Sequence, residues 1–470
     1  MTGQVLLIDF GSTYTKVTAV DLKERAITGT AAAYTTVEED VNIGLHNALK
    51  DLQGSLPPGF AFPSASRFAC SSAAGGLRMI VCGLVPALTA EAARLASLGA
   101  GAKVIKVYSY ELTDGDVADI ERLKPDILLL TGGTDGGNKT NILHNAAMLA
   151  GCGGSFPVLI AGNRSCAKEC GSILASRETY LCDNVMPRMN ELNIGPAQQK
   201  IRELFLSNII HAKGLSKAKE LISGILMPTP AALMAAMELL AKGTANERGI
   251  GDLMAVDLGW ATTDVYSMAD GLPGNRETVV KGLPEPYAKR TVEGDIGMRY
   301  GAAGILAAAG AGKLAALSGL AAEEIPGLID YITGNTAVLP EDTGSDPRLG
   351  SLDFALAAAA LETAIIRHAG SLEQVYTPMG LTNVQTGKDL RQISRMVVTG
   401  GAIIHSARCG EMISQALNGG DNPLSLKPKK TGGLIDRKYI LSAMGLLAGL
   451  DQDCALYLMK KGLEFHESEE

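Results

Sequence analysis

One twelve-residue pattern occurs twice in this chain, 248 positions apart. Residues 6–17 read LLIDFGSTYTKV and residues 254–265 read MAVDLGWATTDV, so Asp9 falls on Asp257, Gly11 on Gly259, Thr15 on Thr263 and Val17 on Val265. In each copy an apolar run ends in Asp-x-Gly, small hydroxyl residues follow, and a second strand-like run begins (Lys16–Val20 and Asp264–Met268). That order reads as a β-hairpin with a tight glycine turn. A single Asp-x-Gly hairpin is commonplace. Two copies, each opening one half of a 470-residue chain, imply two similar lobes facing each other.

The turns have the chemistry of phosphate binding. Glycine lets backbone N–H groups come close to an anion, and Ser and Thr hydroxyls add donors. Lys16 adds a point charge suited to a β- or γ-phosphate. An Asp at each strand end would repel phosphate unless a divalent cation lay between, so Asp9 and Asp257 together imply Mg2+ held mostly through water. The copies are unequal. The residue matching Lys16 is Asp264, which confines the positive contact to the first turn, and the second turn carries Trp260, the chain's single tryptophan. A third glycine signal lies at residues 396–404, MVVTGGAII, a buried strand running through Gly400 and Gly401 into a helix. Two glycines there would let a flat ring lie against the backbone, as an adenosine site needs.

Composition bounds the partners. The formal net charge is −8 and no long basic run is present, so the footprint of a nucleic-acid binder is missing. Lys427-Pro428-Lys429-Lys430 reads as a solvated charged loop. No basic segment precedes the first apolar run, and no stretch reaches ~18 uninterrupted apolar residues, so the expectation is a soluble, cytoplasmic chain that does not enter membranes. The eight cysteines form no CxxC; Cys166 and Cys170 read as buried thiols rather than zinc ligands. Gly310-Ala311-Gly312-Lys313 is not a P-loop, because Ala307 and Leu314 stand where Gly and Ser/Thr are required.

Between about residues 100 and 225 strand-like runs (Lys103–Tyr108, Asp126–Thr131, Pro157–Ala161, Thr179–Asp183) alternate with helix-like ones (Val117–Leu123, Asn141–Leu149, Cys166–Ser176). Alternation of this kind implies a parallel sheet covered by helices. The loop Thr131–Asn138, TGGTDGGN, follows a strand end, where such sheets bind ligands or partners; it reads equally as a glycine-rich turn set by geometry. The division expected is 1–98 as the first part of lobe I, 99–225 as an inserted α/β subdomain, 226–250 as a connecting helix, 251–450 as lobe II, and 451–470 as a C-terminal helix and tail.

Together DFGSTYTK, DLGWATTDV and VVTGGAI resemble the phosphate-1, phosphate-2 and adenosine motifs of the superfamily of acetate and sugar kinases, heat-shock chaperones and actin. PTPAAL (228–233) and LSAMGLL (441–447) resemble its two connecting helices. The implied fold class is α/β: a two-lobed actin-like ATPase, with duplicated ribonuclease H-like domains and an α/β insertion in lobe I. Residues 126–138 and 291–299, and the order of motifs along nearly the whole chain, are similar to the glutamate mutase accessory protein family (MutL/GlmL). Its members are encoded with adenosylcobalamin-dependent mutases and aminomutases. The resemblance implies ATP-dependent reactivation of such a mutase, expelling damaged cobalamin so that fresh cofactor can bind.

Carried over, the resemblance puts Asp9, Gly11, Ser12, Thr13, Thr15 and Lys16 at the phosphates and metal from lobe I, and Asp257, Gly259, Thr262 and Thr263 from lobe II. Asp257 or Asp9 would orient the attacking water, Gly400 and Gly401 would flank adenosine, and Glu293, Gly294 and Asp295 would start a helix beside the ribose. The implied cofactors are ATP and Mg2+, and the implied partners are mutase subunits; a homodimer stays open. Trp260 departs from the pattern, since a second glycine is usual there. Three readings compete with a reactivating ATPase: a small-molecule kinase, an iron–sulfur ATPase activating a dehydratase through Cys152 or Cys166, and a non-enzymatic scaffold.

Overall fold

The computed structural model describes residues 3–35, 41–72, 76–212, 226–275, 277–336, 346–378, 380–418 and 422–466. The chain forms two compact units: Met1–Ala236 with Gly282–Pro284 and Leu441–Leu458, and Met237–Lys281 with Glu285–Ile440 and Met459–Glu470.

Unit 1 opens with β1 (Gln4–Phe10), β2 (Tyr14–Asp21), β3 (Ala26–Tyr34), α1 (Val41–Ser55) and β4 (Ser66–Ser71). These strands and β10 (Leu226–Pro228) form a sheet of order β10-β4-β1-β2-β3, in which β1, β2 and β3 are antiparallel and β4 and β10 run parallel to β1. From Val5 to Phe10 β1 is buried at every residue, Asp9 included, as in a strand covered on both faces.

Between β4 and β10 the chain inserts a second sheet. Its elements are β5 (Arg78–Gly83), α2 (Glu91–Gly99), β6 (Lys103–Ser109), α3 (Asp114–Leu123), β7 (Ile127–Leu130), α4 (Thr140–Ala150), β8 (Val158–Ile160), α5 (Ala167–Ile173), β9 (Thr179–Leu181) and α6 (Gly195–Ala212). All five strands are parallel, in the order β6-β5-β7-β8-β9. The alternating runs expected over 100–225 are these elements, and the sheet also takes in β5, upstream of residue 99. Side chains alternate between its faces: Met79, Val81, Ile127 and Leu129 pack with Ala92 and Ala96 of α2, whereas Ile80, Cys82, Leu128 and Leu130 pack with Ile120, Ile142 and Cys170 of α3, α4 and α5. Cys166 lies in the second of these cores with Cys170, so both are buried thiols, as expected. Helix α7 (Thr229–Lys242) follows β10 directly.

Unit 2 repeats the first topology. Its elements are β11 (Leu253–Leu258), β12 (Thr263–Met268), β13 (Val279–Lys281), β14 (Ala288–Glu293), α8 (Ala302–Ala309), α9 (Ala311–Ser318), α10 (Ile325–Gly334), α11 (Pro347–His368), β15 (Ser371–Thr377), β16 (Gly380–Thr386), β17 (Arg395–Thr399), α12 (Gly401–Ile404), α13 (Cys409–Asn418) and β18 (Gly432–Ile435). Helices α14 (Leu441–Ala448) and α15 (Gln452–Gly462) and strand β19 (Glu464–His466) close the chain. The main sheet has the order β14-β12-β11-β17-β18-β19. Here too an antiparallel meander, β11-β12-β14, is followed by two strands parallel to its first, β17 and β18. Both units therefore carry one strand order, a duplicated ribonuclease H-like pair with an α/β insertion in the first, which is the actin-like ATPase architecture expected of the repeat. A small sheet, β13-β16-β15, was not foreseen.

Helix α11 is long and apolar enough to cross a bilayer, but 78% of its apolar window is buried inside the fold. It is the hub of the unit 2 core, where Leu352, Leu356, Ala360 and Ile365 meet Met254, Val256 and Val398. The basic run at 427–430 differs from expectation at its first residue. Lys427 is buried and donates to the Ala416 carbonyl at 2.9 Å, because its stem spans the packing of α13. Burial pulls its pKa below the ordinary lysine value. Lys313, in the false P-loop, pairs with Glu362 of α11.

Candidate functional site

The first hairpin turn is Gly11–Thr13. Gly11 N–H donates to the Tyr14 carbonyl at 3.1 Å, and a Cβ on Gly11 would stand 2.6 Å from that oxygen, so the turn accepts only glycine. Ser12 is exposed and Thr13 half-buried, and their N–H groups donate to no described group. Lys16 is half-buried and pairs across the strands with Asp9. Thr15 faces the other way. Strand alternation buries it completely, and its hydroxyl is bonded to that of Thr35 at 2.9 Å.

Asp9 is 3% exposed. Its Oδ1 accepts from the Thr229 hydroxyl at 2.7 Å and the Cys70 thiol at 3.5 Å, and its Oδ2 accepts from the Ser442 hydroxyl at 2.9 Å. Thr229 is the first residue of α7 and Ser442 the second of α14, so both resembled connecting helices start at this carboxylate. The two helices also touch directly: a Cβ on Gly445 would lie 1.9 Å from the Ala232 carbonyl. Burial and then the Asp9 charge push the Cys70 thiol well up, which keeps it a neutral donor.

The second turn, Gly259–Thr262, is closed by Gly259 N–H to the Thr262 carbonyl at 2.9 Å. Its carbonyls are held from behind. Met298 N–H donates to the Gly259 oxygen at 3.1 Å and Arg299 N–H to the Trp260 oxygen at 2.9 Å. Because C=O and N–H of a trans peptide point oppositely, the N–H groups of Trp260 and Ala261 face away from that brace, and they donate to no described group. The brace needs glycine: a Cβ on Gly297 would stand 2.4 Å from Ala261 C. Arg299 itself is buried, donating to Asp353 of α11 from Nη1 at 2.8 Å and Nη2 at 2.9 Å, with its guanidinium carbon 5.9 Å from the half-buried Trp260 ring.

Asp257 is the penultimate residue of β11, half-buried, in register with Asp264 on one side and Thr399 on the other. Asp264, the counterpart of Lys16, is tied to buried Arg290 at 2.5 Å. Thr262 is half-buried, but Thr263 is fully buried and donates to the Ile296 carbonyl at 2.9 Å, the same alternation that removes Thr15 from its turn. Gly400 (φ +105°) is held against β11, where a Cβ would lie 2.2 Å from the Leu258 carbonyl. Gly401 has nothing within 4 Å of a Cβ, the open face a flat ring requires. Glu293 and Asp295 do not start a helix. The chain turns from β14 through 294–301, and α8 begins at Ala302; both carboxylates instead approach Arg367, at 2.7 and 3.7 Å, with Gly294 exposed between them.

Among the described residues no group of three or more His, Cys, Asp and Glu side chains could hold a metal. Such a donor set excludes a protein-only cage and would suit Mg2+ held mostly through water, with phosphate oxygens completing the shell. Cys152 and Cys166, the thiols a bridging iron–sulfur cluster would draft, are both buried in the core of the inserted subdomain.

The family model described as "MutL protein" matches residues 5–463. This chain belongs to the MutL protein family. Protein MutL of Clostridium tetanomorphum is 46% identical over 460 residues, covering 97% of this chain and 98% of that one. Solved structures that align along the MutL chain include the activator of 2-hydroxyisocaproyl-CoA dehydratase from Clostridium difficile (9% identity, 98% of this chain and 95% of that chain, TM-score 0.33) and xylulose kinase from Bifidobacterium adolescentis (13%, 100% and 97%, TM-score 0.32). At that level of superposition the likeness bears on neither activity nor site.

The sequence motifs contained Thr229, Ser442 and Arg299 but gave them no role, and Asp353 carried no signal. A hydroxyl in the first turn of each connecting helix was the available clue to the first two.

Proposed function

We propose that this MutL-family chain binds and slowly hydrolyses Mg-ATP in the cytoplasm and uses the cycle to reactivate an adenosylcobalamin-dependent mutase. The observation that carries the reading is the caged Asp9, whose two oxygens take hydroxyls from the starts of two helices 213 residues apart in sequence. The paired turns support it. Ser12, Thr13 and Lys16 in unit 1, and Trp260, Ala261 and Thr262 in the turn that Gly259 closes in unit 2, offer backbone amides, hydroxyls and one ammonium to phosphate oxygens. Gly400 and Gly401 offer their backbone to adenosine. Mg2+, held through water at Asp9 and Asp257, would neutralise phosphate charge. Asp9 Oδ1 already takes Thr229 and Cys70, but Oδ2 keeps a further lone-pair direction beyond Ser442, so this carboxylate can orient a water while staying fixed. Asp257 has the equivalent position in unit 2. Change of state at Asp9 would pass to the two helices it holds, which supplies a mechanical output for a protein partner.

The test compares wild type with Asp9→Asn and Asp257→Asn. Mg-ATP should alter the fluorescence of Trp260, and each variant should lose phosphate release by at least about 100-fold. Hydrolysis at the wild-type rate in both variants would sink the site. An inactivated mutase should recover when given the protein, ATP and fresh cofactor; no recovery with any such mutase would sink the partner.

A further inference from the structure

The inserted sheet carries a feature that the nucleotide reading leaves unused. Strands β5 and β7 are neighbours, yet the chain leaves them in opposite directions: from β5 it passes to α2 on one face, and from β7 to α4 on the other. Divergent loops at adjacent carboxyl ends open a crevice, and in parallel α/β sheets this switch point is where ligands bind.

The loop after β7 forms one wall. Thr131 anchors it by donating its hydroxyl to the Cys82 carbonyl of β5 at 2.9 Å. Gly132 and Gly133 follow, with φ of +152° and +70°. Their carbonyls are held from behind: Asn163 N–H donates to the Gly132 oxygen at 3.1 Å, and Asn184 Nδ2 to the Gly133 oxygen at 3.0 Å. Peptide planarity then turns the N–H groups of Gly133 and Thr134 away from Asn163 and Asn184. Neither donates to any described group, although Gly133 is buried. Consecutive amides left without an acceptor by left-handed glycine form an anion-binding nest.

A second observation points into the same place. Asn141 lies in the first turn of α4 and is 3% exposed. Its Oδ1 is buried without a hydrogen bond to any described residue, and stands 3.3 Å from where a Cβ on Gly132 would be. A buried acceptor left unsatisfied costs about 1–3 kcal/mol, which the P–OH of a monoprotonated phosphate would recover by donating to Asn141 Oδ1. The wall is otherwise fully braced. Asn163 accepts from Gly136 N–H at 3.0 Å and donates to the Gly137 and Asn138 carbonyls, and Asp135 accepts from Arg164 N–H at 3.1 Å and Asn184 Nδ2 at 3.0 Å. The Asp135 carboxylate, which also pairs with the Arg164 guanidinium at 3.5 Å, is thus already satisfied, while Lys139 is exposed beside the loop. The opposite wall is equally fixed, with Thr89 Oγ1 accepting from Leu84 and Val85 N–H at 2.9 and 3.1 Å.

We propose that the carboxyl edge of this sheet, at Gly133, Thr134 and Asn141, binds the phosphate group of a small phosphorylated ligand, at a site separate from the Asp9 and Asp257 turns. Oriented amides, a helix N-terminus and an exposed lysine suit a compact oxyanion, and the Asn141 acceptor suits a hydroxyl on it.

The experiment uses the full chain, labelled with 15N, titrated with inorganic phosphate and in parallel with acetate. Phosphate should shift the Gly133 and Thr134 amide resonances saturably. Asn141→Asp puts a carboxylate where the anion would sit and should weaken phosphate at least about tenfold, with the Mg-ATP response of Trp260 unchanged. Unmoved Gly133 and Thr134 amides, a response to acetate but not to phosphate, or equal phosphate affinity in a folded Asn141→Asp protein would each overturn the proposal. The wild-type titration requires no variant to fold. Asp9→Asn should leave this phosphate response intact, so failure here and failure of the ATP reading are separable.

Discussion

Replacing Arg299 by Met should unfold unit 2 more easily and loosen the second phosphate turn, while replacing its partner as well should restore stability. Arg299 and Asp353 are 3% and 6% exposed and share two bonds of 2.8 and 2.9 Å. Burial raises the Asp353 carboxyl above its ordinary value even though the guanidinium works against this. Removing one partner of such a pair strands a buried charge and costs about 3–5 kcal/mol. Loss of the guanidinium beside the Trp260 ring adds about 0.5–1 kcal/mol. Arg299→Met with Asp353→Leu replaces charge by packing, which is neutral or stabilising by up to about 4 kcal/mol. The double-mutant cycle should therefore show strong coupling. Trp260 is the sole tryptophan and lies in unit 2, so its fluorescence in a urea titration follows that unit. The single variant should also regain stability as pH falls from 7 towards 5. Its Asp353 holds a proton in the folded state at pH values where the unfolded chain does not, so acid favours folding. A cost below about 1 kcal/mol for Arg299→Met, or additive single effects, would refute a desolvated pair bracing the turn.

Three further outcomes follow from the geometry. Gly400→Ala should destabilise unit 2 by more than about 1–3 kcal/mol, since positive-φ strain adds to the close approach to the Leu258 carbonyl, whereas Gly401→Val should leave the urea midpoint alone and weaken ATP binding; the reverse pattern would misplace the adenosine edge. Thr229→Val and Ser442→Ala should each cost about 1.5–3 kcal/mol, the net value of a bond to a charged group, and lower ATP turnover, which a phosphate-release assay reads directly. Lys388 is fully buried, donating to the Ala269 and Tyr287 carbonyls at 2.6 and 2.7 Å with Ser267 Oγ at 3.4 Å, and burial pulls its pKa down to about 7 against the opposing pull of Glu285. Between about pH 7 and 10.5 the unfolded state holds a proton that the folded state does not, so unit 2 should gain stability as pH rises and carry the full penalty below 7; a wild-type urea midpoint unchanged between pH 7 and 9, or the same slope in Lys388→Met, would count against this.

How legible each feature was depended on how far it reached along the chain. The hairpins were readable because an apolar run, an Asp-x-Gly turn and a second run are local, and the same offset that aligned Asp9 with Asp257 aligned their cross-strand partners, Lys16 and Asp264. The parallel insertion was readable from alternation alone, though β5 was missed because it lies ahead of the first helix of the series. Thr15 and Thr263 were misjudged as phosphate donors because the motif fixes residue type, while strand parity decides which side of the sheet a hydroxyl meets. The expected helix at 293–295 gave way to a turn whose glycines, Gly297 and Gly301, approach the backbone of the Gly259–Thr262 turn too closely for any side chain. The Arg299–Asp353 pair spans 54 residues with no periodic mark, and only the folded chain brings its members together.

The Asp9 cage gives the repeated hairpin a physical reason to be where it is. An aspartate 3% exposed must have its charge answered, and the nearest strand supplies only a thiol. The remaining donors come from residues 220 and 433 positions away, each in the first turn of a helix, where the helix dipole also favours a negative charge. Those helices approach so closely that Gly445 admits no Cβ against Ala232. A packed crossing of this kind cannot slide by fractions of an ångström without separating backbones already in contact, so it holds discrete arrangements rather than a continuum. Any rearrangement of either helix must move a hydroxyl off Asp9 or carry the carboxylate with it. A group bound at Asp9 would therefore bias the position of both helices only by the difference in its affinity for the arrangements they adopt.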